Sequence, residues 1–143
     1  MIRIICVGKL KTNLKEASEE YLKRIRSFTK IEIIEINEYK SSNIKESLKK
    51  EGKRILEKAG QKFTALDEKG KQLTSEEFSN IVKEPSLTFV IGGHVGLDEE
   101  VKSKAEKLLS ISKMTLPHQL TRVIFLEQIY RAFTILKKQP YHK

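Results

Sequence analysis

From Leu87 to Gly96 the chain reads LTFVIGGHVG, a short β-branched run that ends in a glycine-rich loop. Such a run is typical of a buried strand, and parallel α/β sheets bind ligands at the carboxyl ends of their strands. Glycines at that edge let a backbone approach a cofactor closely. The G-G-x-x-G spacing matches neither the dinucleotide nor the Walker pattern, so a tight turn without a ligand is an equally good interpretation.

Outward from this stretch, β-branched runs alternate with segments of helical period along the whole chain. The predicted strands are Ile2–Val7, Ile31–Ile36, Phe63–Asp67, Leu87–Ile91 and Ile111–Leu116. The predicted helices run from Leu14 to Phe28, from an N-cap at Asn43 through Gly52 to Gly60, from a capping box at Thr74 to a point before Pro85, and from Asp98 with Val101, Ala105 and Leu108 facing inward. This alternation predicts one three-layer α/β domain over residues 1–143, with a mostly parallel sheet of five to six strands.

The fifth predicted helix, from Gln119 to about Lys138, is apolar on nearly its whole circumference. A helix of this kind must be buried on more than one side. The sheet of so small a domain covers one side, so we expect a second subunit to cover the other, by default a two-fold mate. The prediction is a homodimer.

Charge is distributed unevenly. The net charge is +9, and residues 101–143 alone hold nine Lys and Arg against two Asp and Glu. This asymmetry favours an anionic partner such as RNA, although a basic face that only aids solubility is the alternative.

Other features set bounds on the class of protein. No leader and no run of about 18 apolar residues is present, and the lone Cys6 has no disulfide partner, so we expect a cytoplasmic protein without membrane contact. The three histidines (His94, His118, His142) lack ligand spacing, so no metal site is predicted.

A second segment of interest, Ile111 to Gln119, joins the last predicted strand to the apolar helix. Leu116 precedes Pro117 and is therefore restricted to extended geometry. The resulting rigid backbone edge can hydrogen-bond an adenine or an amino-acid group through main-chain atoms. His118 follows at the helix start, where it can serve as a base, a ligand contact or a helix cap.

The third segment is the tail, Tyr141-His142-Lys143. Tyr and His can stack on a splayed base while Lys meets phosphate, and Arg122 and Arg131 on the preceding helix would extend that surface. A frayed end is the alternative for the tail. Arg131 can equally pair with Glu127 at i, i+4.

Together the three segments resemble one family. The motifs are F-V-I-G-G-x-x-G, S-x-S-K-M-T-L-P-H-Q, E-Q-I-Y-R-A-F and a final Y-H-K, with I-x-x-V-G-K-L at the start and K-E-G-x-R-I-L at Lys50–Leu56. They resemble the RlmH family, the small SPOUT-class methyltransferases that act on a pseudouridine of large-subunit ribosomal RNA. The family implies a C-terminal trefoil knot, which ordinary topology rules would argue against, and a homodimer.

The resemblance also implies a cofactor and its site. S-adenosylmethionine is the expected methyl donor, without a metal. The residues predicted to bind it are Leu66, Gly92, Gly93, Gly96, Ile111, Ser112, Lys113, Met114, Thr115 and Leu116. The family more often has a small residue or proline where this chain has His94, a larger ring that can touch cofactor or RNA.

The chemistry implied is methylation of N3 of a pseudouridine in 23S ribosomal RNA, with the assembled ribosome as the expected partner. His142, Tyr141 and Arg131 are the candidates for binding and orienting the base, and His118 is the alternative proton acceptor. Arg122, Arg131 and Lys143 are the predicted RNA contacts. The competing hypothesis is a noncatalytic ribosome-associated RNA-binding factor, in which the glycine loop is only a turn.

Overall fold

The computed structural model describes residues 1–143, which form one parallel sheet with helices on both faces. The strands are β1 (Ile2–Val7), β2 (Ile31–Ile36), β3 (Thr64–Gln72), β4 (Leu87–Ile91) and β5 (Lys107–Ser110). The helices are α1 (Thr12–Ile25), α2 (Ile44–Ala59), α3 (Ser75–Ile81), α4 (Glu99–Lys104) and α5 (His118–Leu136). The strand order is β2-β1-β4-β3-β5, and every pair is parallel. The predicted α/β class and mostly parallel sheet of five to six strands are confirmed, with five strands present.

Two apolar layers enclose the sheet. Successive side chains of a strand point to opposite faces, so Ile4 and Cys6 of β1 pack with α1, α3 and α5, while Ile5 and Val7 pack with α2 and α4. Phe89 of β4 lies 4.9 Å from Phe125 of α5, edge to face, and both are fully buried. The three-layer prediction is therefore confirmed. None of the helices is both long enough and apolar enough to cross a bilayer.

The predicted capping residues of α2 and α3 lie at the ends of these helices. The Asn43 side chain accepts a hydrogen bond from Glu46 N at 3.3 Å, and Gly60 ends α2 with a φ of 73°. Thr74 and Glu77 form the reciprocal capping box of α3, at 3.1 and 2.9 Å. Gly52 marks a close contact, since a Cβ there would lie 3.1 Å from Asp98 Cβ.

Two of the element predictions are wrong. Ile111–Leu116 is not a strand, because the last strand, β5, already ends at Ser110. Ser110 Oγ donates to Ser112 O and Met114 N donates to Ser112 Oγ, both at 2.9 Å, and these side-chain bonds turn the chain out of the sheet. Leu108 belongs to β5 and not to the fourth helix, since Ala105 is already extended.

The start of α5 lies far from the strand that precedes it. β5 is at one edge of the sheet, yet Gln119 Oε1 accepts from Lys11 N at 2.9 Å, just beyond β1. The segment between Ser110 and Gln119 therefore passes the carboxyl ends of β3 and β4 before α5 packs against α1 and α3. This crossing brings two predicted motifs to one edge of the sheet.

Candidate active site

A cleft of about 1060 Å³ opens at the carboxyl edge of the sheet. Its walls are residues 66–68 of β3, the glycine loop after β4 and the segment that leads to α5. The predicted cofactor-binding residues that line it are Leu66, Gly92, Gly93, Gly96, Ile111, Ser112, Met114, Thr115 and Leu116. Lys113 does not line the cleft and is exposed. The structure thus brings nearly the whole predicted set into one concave site.

Each glycine of the loop lies where a side chain would be too close to a neighbour or would strain the backbone. A Cβ on Gly92 would lie 2.6 Å from Gly96 O, and a Cβ on Gly93 would lie 3.0 Å from Val7 Cγ1. Gly96 has a φ of 85°, in the left-handed region that favours glycine. Gly96 N donates to Gly93 O at 3.1 Å and closes the turn. At these glycines the backbone itself therefore forms the cleft wall, beside the loop residues His94 and Val95.

A hydrogen bond joins two walls of the cleft. Thr115 Oγ1 donates to Glu68 Oε2 at 3.1 Å. Glu68 lies where β3 bulges away from its partner strand, and Gly70 presses this bulge against the backbone of Leu108. The segment that follows β5 thus contacts β3 through a side-chain hydrogen bond, in addition to the pairing of β5 itself with β3.

His118 lines the cleft at the first turn of α5, with its ring centroid 6.1 Å from that of His94. Burial lowers the pKa of His118 below its ordinary value; the charges of His94 and Arg122 act in the same direction, and that of Glu38 opposes them. A lowered pKa keeps the imidazole neutral near pH 7. A neutral ring with a free nitrogen can accept a proton.

The tail is docked against α5 and α3. His142 Nε2 lies 2.7 Å from Glu76 Oε1, and His142 Nδ1 lies 3.1 Å from Arg131 Nη1. Tyr141 packs edge to face on Tyr130 at 4.7 Å, and the Arg131 guanidinium stands 4.9 Å from the Tyr141 ring. The predicted Arg131–Glu127 pair is also present, with nitrogen and oxygen 2.6 Å apart. The interpretation of the tail as a frayed end is wrong for this structure.

This tail cluster (Glu76, Glu127, Arg131, Tyr141 and His142) does not reach the cleft of its own chain. None of its members lines the cleft. Arg131 follows His118 along α5, and at 1.5 Å per residue the two lie about 20 Å apart along the helix axis. The structure therefore gathers the predicted site residues at two places.

Arg122, one of the predicted RNA contacts, is buried inside the protein. It is 3% exposed, and its guanidinium donates to Glu35 Oε2 at 2.7 Å and to Gly8 O at 2.8 Å. The prediction that Arg122 extends an exposed RNA-binding surface is thus corrected: the side chain is committed to the ends of β1 and β2. The exposed cations of residues 101–143 are Lys104, Lys107, Lys113, Lys137, Lys138 and Lys143.

Several residues of the cleft and of the tail cluster were not predicted from sequence. Lys11, Asp67 and Lys102 line the cleft, and Lys102 Nζ lies 3.6 Å from Asp67 Oδ1. Asp67 ends the predicted third strand, a position that could have revealed it. Glu76 carried no signal beyond its place in the first turn of α3. Cys6 has no chemical role, since burial raises the pKa of its thiol to about 12.

The protein has a parallel α/β fold with a cleft at the carboxyl edge of its sheet, and comparison with known proteins gives its class. The sequence profile of a family described as "Predicted SPOUT methyltransferase" matches residues 1–142. A protein named ribosomal RNA large subunit methyltransferase H, from Caldicellulosiruptor saccharolyticus, is 48% identical, with all of both chains covered. Proteins of that name from Clostridium botulinum strain Okra and Carboxydothermus hydrogenoformans are 49% and 45% identical, with 99% of each chain covered.

The chain belongs to the SPOUT methyltransferase family and, within it, to the group of the ribosomal RNA large subunit methyltransferases H. The resemblance inferred from its motifs is confirmed.

Proposed function

We propose that the protein is an S-adenosylmethionine-dependent enzyme that methylates N3 of a pseudouridine in 23S ribosomal RNA. The observation that carries the proposal is the cleft, in which the glycine loop and Ile111–Leu116 present backbone at the carboxyl edge of a parallel sheet. The names of the relatives support ribosomal RNA as the substrate.

The cleft fits the proposed cofactor. Its volume is about 1060 Å³, near the upper end for small-molecule sites, and apolar side chains of Leu66, Ile91 and Leu109 line it beside the charged pair Asp67–Lys102. Leu66, Gly93 and the segment Ile111–Leu116 would hold S-adenosylmethionine. When bound, it supplies an electrophilic methyl group. The chain itself must then align the target nitrogen and remove its proton.

His118 is the proposed proton acceptor. It lies in the cleft, its lowered pKa keeps the ring neutral, and it is a short way from the backbone segment that would hold the cofactor. A neutral imidazole nitrogen can take the N3 proton of the base as the new carbon–nitrogen bond forms. Tyr141, His142 and Arg131 would bind and orient the base.

The proposed enzyme is a homodimer in which the tail of one chain meets the cleft of the other. None of the tail cluster lines the cleft of its own chain, and Arg131 lies about 20 Å from His118 along α5, so we infer that one chain does not supply a complete site. Val95, Met114 and Leu120 are exposed apolar side chains around the cleft, and Met114 is 77% exposed. A second copy related by a two-fold axis would cover them and contribute its tail.

We also propose that the chain forms a trefoil knot. The path of residues 111–117 past β3 and β4 is the crossing expected of such a knot. Lys113, Lys137, Lys138 and Lys143 are exposed and would contact RNA phosphates of the assembled ribosome.

Calorimetric titration with S-adenosylmethionine, followed by methylation of ribosomes from a strain that lacks the gene, tests the proposed function. We expect saturable heat, loss of that heat in Gly93→Leu, whose side chain would collide with Val7, and a new methyl group on one pseudouridine. Circular dichroism establishes that the variant is folded. RNA binding without cofactor binding at millimolar ligand would instead favour a noncatalytic ribosome-associated factor.

A further inference from the structure

Both ring nitrogens of His142 are engaged within the chain. Nε2 lies 2.7 Å from Glu76 Oε1, and Nδ1 lies 3.1 Å from Arg131 Nη1. Arginine only donates hydrogen bonds, so Nδ1 must be the acceptor. The proton of the neutral ring is therefore on Nε2 and is donated to Glu76. With its acceptor nitrogen already used by Arg131, the ring has no nitrogen free to take a proton from a substrate.

We propose that His142 acts through the face of its ring, as a fixed platform on which the target base stacks, and that Glu76 is the positioning residue that holds it. The proposal deepens the proposed function and rests on it. The nitrogens lie on the ring edge, so their hydrogen bonds leave the face free, and the side chain stays 24% exposed. Stacking on aromatic side chains is a common way to hold a splayed base.

Glu76 is well placed to position the tail, because α3 is anchored to α5. Ser75 Oγ donates to Gln128 Oε1 at 2.8 Å, and the capping box of Thr74 and Glu77 defines where the helix begins. The Glu76 carboxylate lies in the first turn, where a negative charge is favoured. Its oxygen is thus held relative to Arg131, the other partner of the His142 ring.

The tail has a second attachment that does not involve His142. Tyr141 packs on Tyr130 at 4.7 Å, and its hydroxyl donates to Glu127 Oε1 at 3.3 Å. Removing Glu76 therefore leaves the His142 ring with only its contact to Arg131, while Tyr141 stays attached. This separation makes the contribution of Glu76 measurable.

Nitrogen NMR of the histidine rings tests the contact without any turnover. In the wild-type protein at neutral pH we expect His142 as the Nε2–H tautomer, with a ring proton protected from exchange with water. Glu76→Ala should lose that protection and Glu76→Gln, which keeps an acceptor oxygen, should retain it. Glu57→Ala, an exposed glutamate of α2, is the matched control. An Nδ1–H tautomer, or protection unchanged in Glu76→Ala, would overturn the Glu76 contact.

Kinetics on ribosomes test the platform. His142→Phe keeps a ring and should retain kcat within a few-fold, whereas His142→Ala should lose ten-fold or more, since stacking of one base is worth about a ten-fold effect. Glu76→Ala should raise KM for the ribosome about ten-fold with little change in kcat, and Glu76→Gln should restore it. Equal loss of kcat in His142→Phe and His142→Ala would overturn the platform. A wild-type protein without turnover would contradict the proposed function itself, and the NMR result would separate the two failures.

Discussion

The Arg122 guanidinium, buried in α5, lies 2.7 Å from the carboxylate of Glu35 at the end of β2. The same group donates to Gly8 O at 2.8 Å, so one side chain joins α5 to the carboxyl ends of two strands. These contacts lie one helical turn after His118. They therefore also determine where the first turn of α5 stands in the cleft.

Arg122→Ala should lower the free energy of unfolding by about 2 to 3 kcal/mol, because it removes several charge-assisted hydrogen bonds; Glu35 is partly exposed, so water can resolvate it. Urea unfolding followed by circular dichroism measures the change. Arg3→Ala, which breaks the exposed pair with Glu32, is the control and should cost less than about 1 kcal/mol. Equal effects of the two substitutions would contradict the structural role of Arg122.

Thr115→Val should weaken binding of S-adenosylmethionine about five-fold. The substitution keeps the shape of the side chain and removes the hydroxyl that bonds Glu68, a neutral-donor contact worth about 1 kcal/mol. Calorimetric titration gives the dissociation constant, and Thr29→Val, remote from the cleft, is the matched control. An unchanged affinity would show that the bond between the two walls has no part in binding.

The pH dependence of methyl transfer should report His118. Its pKa is lowered by burial, so the neutral form that accepts a proton persists to a pH below the ordinary histidine value of about 6.5 and is lost only on further acidification. The single-turnover rate should fall on that acidic limb and be flat above it. In His118→Gln the rate should be low and the limb should vanish. If the limb survived, another group would be the base.

Glu76 should titrate below free glutamate, because the hydrogen bond from His142 lowers its pKa. The contact is therefore present above the ordinary pKa of a glutamate and is lost as the pH falls through the lowered one. Carbon NMR of the carboxyl group measures the midpoint. His142→Ala should raise the Glu76 midpoint, and an unchanged midpoint would contradict the contact.

The parts of the fold that depend on neighbours in sequence were predictable. Asn43 and Thr74 begin helices through bonds to residues three positions on, so the pattern of letters predicts them. Ile111–Leu116 has strand composition, but the hydroxyls of Ser110 and Ser112 bond locally and turn the chain, and composition does not reveal that competition.

The site, like the fold, has parts that could be predicted from sequence and parts that could not. The glycine loop was predicted correctly at the end of a parallel strand, whereas the wall formed by Ile111–Leu116 was predicted to be a strand itself. Arg122 was predicted on an RNA surface because it lies on the helix that precedes the tail; Glu35, 87 positions away, becomes its partner only in the folded sheet. Glu76 meets His142 across 66 positions, and no local pattern indicates such a contact.

Subunit mixing tests whether the cleft of one chain works with the tail of another. His118→Ala impairs the cleft and His142→Ala impairs the tail, so each homodimer should be nearly inactive. After the two are unfolded together and refolded, mixed dimers contain one intact cleft facing one intact tail, and methylation of ribosomes should recover to about a quarter of the wild-type rate. If each chain used its own tail, no mixed dimer would hold a complete site. A mixture as inactive as its parents would therefore contradict a site shared between two chains.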